Sequence, residues 1–188
     1  MKDDMLIEKY TSQWVEDFES LKFEIECGLN GLNPRIEHVG STSVPHLDSK
    51  PIIDLDIIYE NESEFKLLKA GLTSIGYYHN GDQGIENREV FKREKKDGHP
   101  VLDSISHHLY VCKAQSAALQ RHILTRDFLR KNDWARITYQ AMKYELAEKA
   151  NQDKKRYAAL KEVYANAFFD EIIENQKSSS GSWQESKD

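Results

Sequence analysis

The chain is poor in cysteine and has no long apolar run and no excess of positive charge; each shortage excludes a class of protein. Its 188 residues include only two cysteines, Cys27 and Cys112, with no CxxC spacing. A disulfide framework or a cysteine zinc site is therefore excluded, and both residues are expected to be ordinary buried thiols. No hydrophobic stretch approaches the ~20 residues that a bilayer span needs. The opening Met1-Lys-Asp-Asp-Met lacks a signal-peptide core, so a cytoplasmic protein with no membrane partner is expected. Lys and Arg number 26 against 32 Asp and Glu, a net charge of −6, which argues against nonspecific binding of nucleic acid. Seven histidines invite a zinc reading. His107 and His108 are adjacent, however, so they point to opposite faces, and no H-x3-H spacing occurs. No internal repeat of 20–50 residues is visible.

What is present is alternation and helical periodicity. Trp14, Phe18, Leu21, Ile25 and Leu29 recur at helical spacing and predict a helix over about 12–30, with Ser12 as N-cap. Arg35 to Val39 predicts a short strand ending at Gly40-Ser41. A second strand follows at about 51–59, then a helix capped by Asn61 or Ser63 with Phe65, Leu68, Leu72 and Ile75 on its buried face. Arg88 to Lys95 alternates like a strand, Asp97-Gly98 is a hairpin-type turn signal, and His107 to Cys112 predicts the last strand. Three helices are expected at about 116–131, 133–150 and 154–175. The organisation is thus an α/β core over 1–114, a helical region over 115–176 packed on it, and a polar, Ser-rich tail over 177–188 expected to be disordered.

The second strand carries an electrostatic problem. Ile52, Ile53, Leu55, Ile57 and Ile58 make it look buried, yet Asp54 and Asp56 sit at i and i+2 and project from one face. Desolvating two adjacent carboxylates costs several kcal/mol each, and a divalent cation between them is the best compensation. The bland alternative pairs them with neighbouring amides or with Lys50. Just upstream, the Gly40-Ser41 turn can aim backbone N–H groups and a hydroxyl at an anion. A phosphate cradle beside a carboxylate pair describes a nucleoside triphosphate site that holds Mg²⁺.

At these residues a resemblance becomes visible. Val39-Gly40-Ser41 followed by Asp54-Leu-Asp56-Ile57 resembles the signature of the nucleotidyltransferase superfamily. Glu37-His-Val-Gly-Ser-Thr-Ser-Val-Pro45, Lys50-Pro-Ile-Ile-Asp-Leu-Asp56 and His107-His-Leu-Tyr-Val111 are similar to the GrpB family (the UPF0157 group), as is Arg126-Asp-Phe-Leu-Arg130. The resemblance implies an α+β fold: a polymerase-β-like core, a small mixed sheet with packed helices, followed by C-terminal helices. It also implies transfer of a nucleoside monophosphate from an NTP to an unknown small-molecule or protein acceptor. The alternative is an NTP- and Mg²⁺-binding protein of the same fold without turnover. By position, Asp54 and Asp56 would be the catalytic metal ligands, and Gly40 and Ser41 phosphate contacts.

The superfamily usually adds a third carboxylate from a later strand, but His107–Val111 holds none. Glu94 and Asp103 are the nearest candidates, and His108 and Tyr110 share the face that could look into the cleft. His122, Arg126 and Arg130 form an i, i+4, i+8 stripe, while Tyr139/Lys143 and Tyr157/Lys161 repeat a Tyr-x3-Lys pair. Lys50, Arg126, Arg130, Lys143 and Lys161 are therefore candidate phosphate-binding residues. His38, Arg93, His108, Tyr110 and Tyr157 are candidate cleft-lining residues. For each, a solvated surface charge or a half-buried packing tyrosine is the competing reading.

Overall fold

The computed structural model describes residues 5–94 and 98–181. Its centre is a five-stranded mixed sheet formed by β1 (Arg35–Val39), β2 (Ile53–Tyr59), β3 (Tyr77–His79), β4 (Arg88–Arg93) and β5 (His107–Lys113), in the order β1-β2-β5-β4-β3. β2 and β5 run parallel at the centre, and every other pairing is antiparallel. The C-terminal halves of the two central strands are covered on both faces, where Ile58 and Cys112 meet Leu119, and there they read as apolar runs.

One face buries Ile53, Leu55, Ile57, Leu109 and Val111 against α1 (Gln13–Gly28) and α2 (Glu62–Ser74). α1 delivers Trp14, Phe18, Leu21 and Ile25, the stripe expected from its periodicity. Each fully buried Leu or Ile contributes about 1.5–3 kcal/mol. At Gly28 an added Cβ would lie 2.4 Å from Ile75 Cγ2, so the missing side chain lets the ends of α1 and α2 meet. Cys27 lies off the buried stripe and is exposed, whereas Cys112 is buried, so only one of the two expected buried thiols is buried. Ser12 stands at the N-cap position without a side-chain capping bond.

α2 has a true cap. Asn61 accepts from the backbone N–H groups of Ser63 and Glu64, both at 3.1 Å. Asn61→Ala removes that acceptor and is expected to cost about 1 kcal/mol, a fall in melting temperature of about 2–4 °C for a chain of this size, readable by calorimetry.

Three helices cover the other face: α3 (Ala117–Lys131), α4 (Asp133–Lys149) and α5 (Lys154–Gly181). Leu119 of α3 packs on Ile58 and Cys112, and Leu129, Tyr139, Ala165 and Phe169 tie α3, α4 and α5 to Val44 and Leu47 of the β1–β2 connection. α5 runs to Gly181, past Lys177, where the polar tail was expected to begin. The rest of that tail lies outside the described residues, as does Asp97 of the expected turn. β3 has no counterpart among the strands that the alternation predicts. Three residues, Tyr77–His79, are too few to show a period, and only pairing with Lys92 and its neighbours makes them a strand.

Candidate nucleotide site

The candidate site grows from the end of β1. Gly40 has φ +71, a conformation glycine adopts without steric cost, and leads directly into a tight 3-10 turn, Ser41–Ser43. A Cβ on Gly40 would meet Asp54 Oδ2 at 2.2 Å. The glycine therefore permits the turn to press against the first carboxylate. β1 and β2 pair so that Val39 faces Asp54 and Glu37 faces Asp56, which puts turn and carboxylates on one side of the sheet.

Asp54 is partly exposed, and its Oδ1 accepts from His108 Nδ1 at 2.9 Å. Asp56 is fully buried, and its Oδ2 accepts from His122 Nδ1 at 2.7 Å. Its other oxygen, Oδ1, is buried with no hydrogen-bond partner among the described residues. A buried carboxylate oxygen left unpaired costs at least 1–3 kcal/mol, more for a charged group, so this atom calls for a cation. Among the described residues no cluster of three or more His, Cys, Asp or Glu side chains is arranged to hold a metal. Asp54 and Asp56 are the carboxylates at this turn that could hold a cation, with phosphate and water supplying the remaining oxygens.

A cleft of about 510 Å³ opens over this face. Gly40, Ser41 and Asp54 line one part, and His108 and Tyr110 of β5 continue it. Lys50, Arg126, Tyr157 and Lys161 close the helical side. Lys50 Nζ lies 5.1 Å from the Tyr157 ring centroid, and burial, with the charges of Lys161 and Lys154, pulls its pKa down. Lys161 moves the other way: the phenol oxygens of Tyr139 and then Tyr157, with the Asp54 carboxylate and the Tyr110 oxygen, outweigh burial and raise its pKa. Burial holds Tyr110 above its usual value and Tyr157 at about 12, so both remain neutral phenols. Arg126 is nearly buried and donates to Glu37 Oε2 at 2.6 Å and to the His38 carbonyl at 3.0 Å, pinning α3 to β1.

Five of the candidate residues do not line this cleft, the fully buried Asp56 among them. His38 pairs with Leu55, so it lies on the opposite, core face of the sheet, stacked on Phe18 at 4.6 Å. Desolvation pushes its pKa down to about 4, and its Nε2 meets Thr42 Oγ1 at 3.1 Å. Alternation likewise puts Arg93 on the core face, where it binds Asp103 and the Ile75 carbonyl. Arg130 grips the Ser43 carbonyl through Nε and Nη2, at 3.0 and 2.7 Å, so it braces the turn rather than lining the cleft. Lys143 is 1% exposed and donates to the Asp48 carbonyl. Of the two candidate third acids, neither Glu94 nor Asp103 lines the cleft. His122 belonged to the basic stripe in sequence, but its partner Asp56 lies 66 residues away, and only the packing of α3 on the sheet reveals the pair. Arg88, which reads as surface charge, also reaches the cleft.

Against this geometry, the family model for the GrpB protein matches residues 4–175. The chain belongs to the GrpB family. Among curated members, the glutamate-rich protein GrpB of Alkalihalophilus pseudofirmus is 26% identical over 174 residues, spanning 91% of this chain and 97% of that protein. The UPF0157 protein YqkA of Bacillus subtilis is 30% identical over 138 residues; the match covers 73% of this chain but only 38% of that longer relative. The solved structure of conserved protein GrpB from Enterococcus faecalis superposes with a TM-score of 0.73 at 27% identity, over 90% of this chain and 98% of that one. The Cid1 poly(U) polymerase bound to MgATP matches with a TM-score of 0.55 at 11% identity, over 79% of this chain and 46% of that one. At that identity the likeness shows the fold alone. This GrpB family chain therefore has a mixed α+β fold of the polymerase-β nucleotidyltransferase type followed by C-terminal helices. No helix among its described residues is long and apolar enough to cross a membrane.

Proposed function

We propose that the protein is a Mg²⁺-dependent nucleotidyltransferase that moves a nucleoside monophosphate from an NTP to the hydroxyl of a small-molecule or protein acceptor. The carrying observation is the Gly40 turn pressed against Asp54, with the unpaired buried oxygen of Asp56 beside it. Asp54 and Asp56 would hold the cation, which when bound supplies charge neutralisation for the phosphates. Gly40 and Ser41 present backbone and hydroxyl donors to the triphosphate. Lys161, kept charged by its neighbours, with Lys50 and Arg126, adds positive potential on the same side. The acceptor oxygen forms a bond to the α-phosphorus, the α–β bridging P–O bond breaks, pyrophosphate departs, and the hydroxyl proton is released to water. The likeness to a fold whose member Cid1 binds MgATP supports the same reading.

The second reading, binding without turnover, is favoured by two observations: both carboxylates already accept from histidines, and neither candidate third acid lines the cleft.

Mg²⁺ with an NTP at about 100 times Kd is expected to stabilise the fold by about 2.7 kcal/mol, a melting shift of ~5–10 °C. Gly40→Ala, whose Cβ has no room beside Asp54 Oδ2, is expected to lose most of that shift. Label transfer or pyrophosphate release from α-labelled NTPs then separates the two readings. An unchanged shift in Gly40→Ala would mean that the phosphate turn is misplaced.

A further inference from the structure

A second cavity of about 510 Å³ adjoins the nucleotide cleft on the far side of β5. The two share three lining residues, Arg88, His108 and Tyr110. Alternation and register explain the shelf that forms its floor. Arg88, Val90 and Lys92 of β4 project from the face that carries Tyr110 and His108 of β5, because Val90 pairs with Tyr110. Tyr78 of β3 pairs with Lys92 and extends that face. Asp54 and Asp56 are on the same face one strand further on, opposite His108 and Tyr110.

The charge on this shelf is positive and in part unspent. Arg88 stacks its guanidinium 4.8 Å from the Tyr110 ring centroid, and its Nε is buried without a hydrogen-bond partner among the described residues. A buried guanidinium N–H that lacks an acceptor is a standing demand for an oxygen, and the planar fork suits phosphate or carboxylate. Lys92 is exposed at the other end of the shelf. Among the described residues the acid that lines this cavity is Asp103, and it is already paired with Arg93.

The sheet order then places the carboxylates between two cationic flanks. Gly40-Ser41, Lys50 and Lys161 lie on the β1 and α5 side of Asp54, while Arg88 and Lys92 lie on the β4 side. One anionic substrate is accounted for by the triphosphate on the first flank. We propose that the second cavity is the acceptor site, and that the acceptor is a small alcohol carrying a phosphate or carboxylate, anchored by Arg88 and drawn in by Lys92. This rests on the nucleotidyltransferase reading. Two strand spacings, roughly 10 Å, separate β4 from β2. An anion on Arg88 thus leaves the hydroxyl of a molecule a few carbons long within reach of the Asp54 and Asp56 centre, past Tyr110 and His108. The reaction would join that hydroxyl oxygen to the α-phosphorus with loss of pyrophosphate and a proton.

The test is calorimetric titration of the full chain, loaded with Mg²⁺ and an α,β-methylene NTP, with glycerol 3-phosphate, glycerate and neutral glycerol. The expected result is that at least one of the two anions binds ten or more times tighter than glycerol, and which one does so distinguishes phosphate from carboxylate. Arg88→Gln is expected to weaken that anion about tenfold and the exposed-site variant Lys92→Gln severalfold; the latter keeps the test open should Arg88→Gln fold poorly. Equal binding of glycerol and both anions, while the nucleotide analogue binds normally, overturns the acceptor site alone. Anion binding that the bound analogue abolishes also overturns it, because the anion then occupies the triphosphate positions. If the analogue fails to bind but the anion is still held through Arg88, the nucleotidyltransferase reading falls and the acceptor role falls with it.

Discussion

Asp56→Asn is expected to raise the melting temperature of the ligand-free protein while abolishing its response to Mg²⁺ and NTP. The carboxylate is fully buried, one oxygen is satisfied by His122 and the other by nothing. Removing the charge relieves the desolvation of an uncompensated anion and its repulsion with Asp54. The asparagine carbonyl can still accept from His122 Nδ1–H at the same place. A gain of about 1–3 kcal/mol without ligand corresponds to roughly 2–12 °C. The same change deletes the proposed metal ligand, so on that proposal the stabilisation of about 2.7 kcal/mol from saturating Mg²⁺–NTP should vanish. Opposite signs in the two conditions are the signature of a site kept for function at the expense of stability. If the variant melts lower than wild type without ligand, the buried anion is compensated by something other than a cation. If it retains the Mg²⁺–NTP shift, Asp56 is not a ligand.

Lys143→Met should flatten the dependence of stability on alkaline pH. The Lys143 amine is almost wholly enclosed, and burial, reinforced by the nearby Lys161 charge, drives its pKa well below the usual 10.5. Between the folded and unfolded values the unfolded chain binds a proton that the folded chain does not. Wild-type stability therefore rises with pH through that window and levels off above about 10.5. The contribution is up to about 1.4 kcal/mol per pH unit. Methionine fills a similar volume and has nothing to titrate. The difference in urea-unfolding free energy between wild type and variant, measured from pH 7 to pH 10, should shift steadily in favour of wild type. A constant difference would show that the lysine stays charged inside the fold, where it could again be a phosphate contact. The residue thus takes a structural role in place of the sequence-based one: an enclosed amine that donates to the Asp48 carbonyl.

Lys143 also illustrates why the site was only partly legible in the sequence. Its Tyr-x3-Lys spacing is the same as that of Tyr157 and Lys161. Yet Lys161 reaches the cleft and Lys143 does not, because α4 turns that position into the layer below. Helical spacing says which side chains share a face but not what the face meets. In the strands, period-two alternation correctly joined Asp54 to Asp56 and His108 to Tyr110. It would also have removed His38 and Arg93 from the cleft had the registers been known, since the pairings His38 with Leu55 and Tyr77 with Arg93 put both on the core face. Register is a property of two strands, and no single strand carries it.

The sequence by itself determined all the elements but β3, and it picked out the residues on which the candidate site is built. The α1 stripe, the apolar β2 run and the Asn61 cap are local patterns written in adjacent residues, and so are the Gly40-Ser41 turn and the Asp54/Asp56 pair. Tertiary structure alone decided which charges are spent. It paired His108 with Asp54 and His122 with Asp56, committed Arg93 to Asp103 and Arg130 to the Ser43 carbonyl, and left Asp56 Oδ1 and Arg88 Nε without partners. The reason is range. Capping, turn formation and alternation act over a few residues and are encoded there, whereas solvation and ion pairing depend on which distant segments the fold packs together.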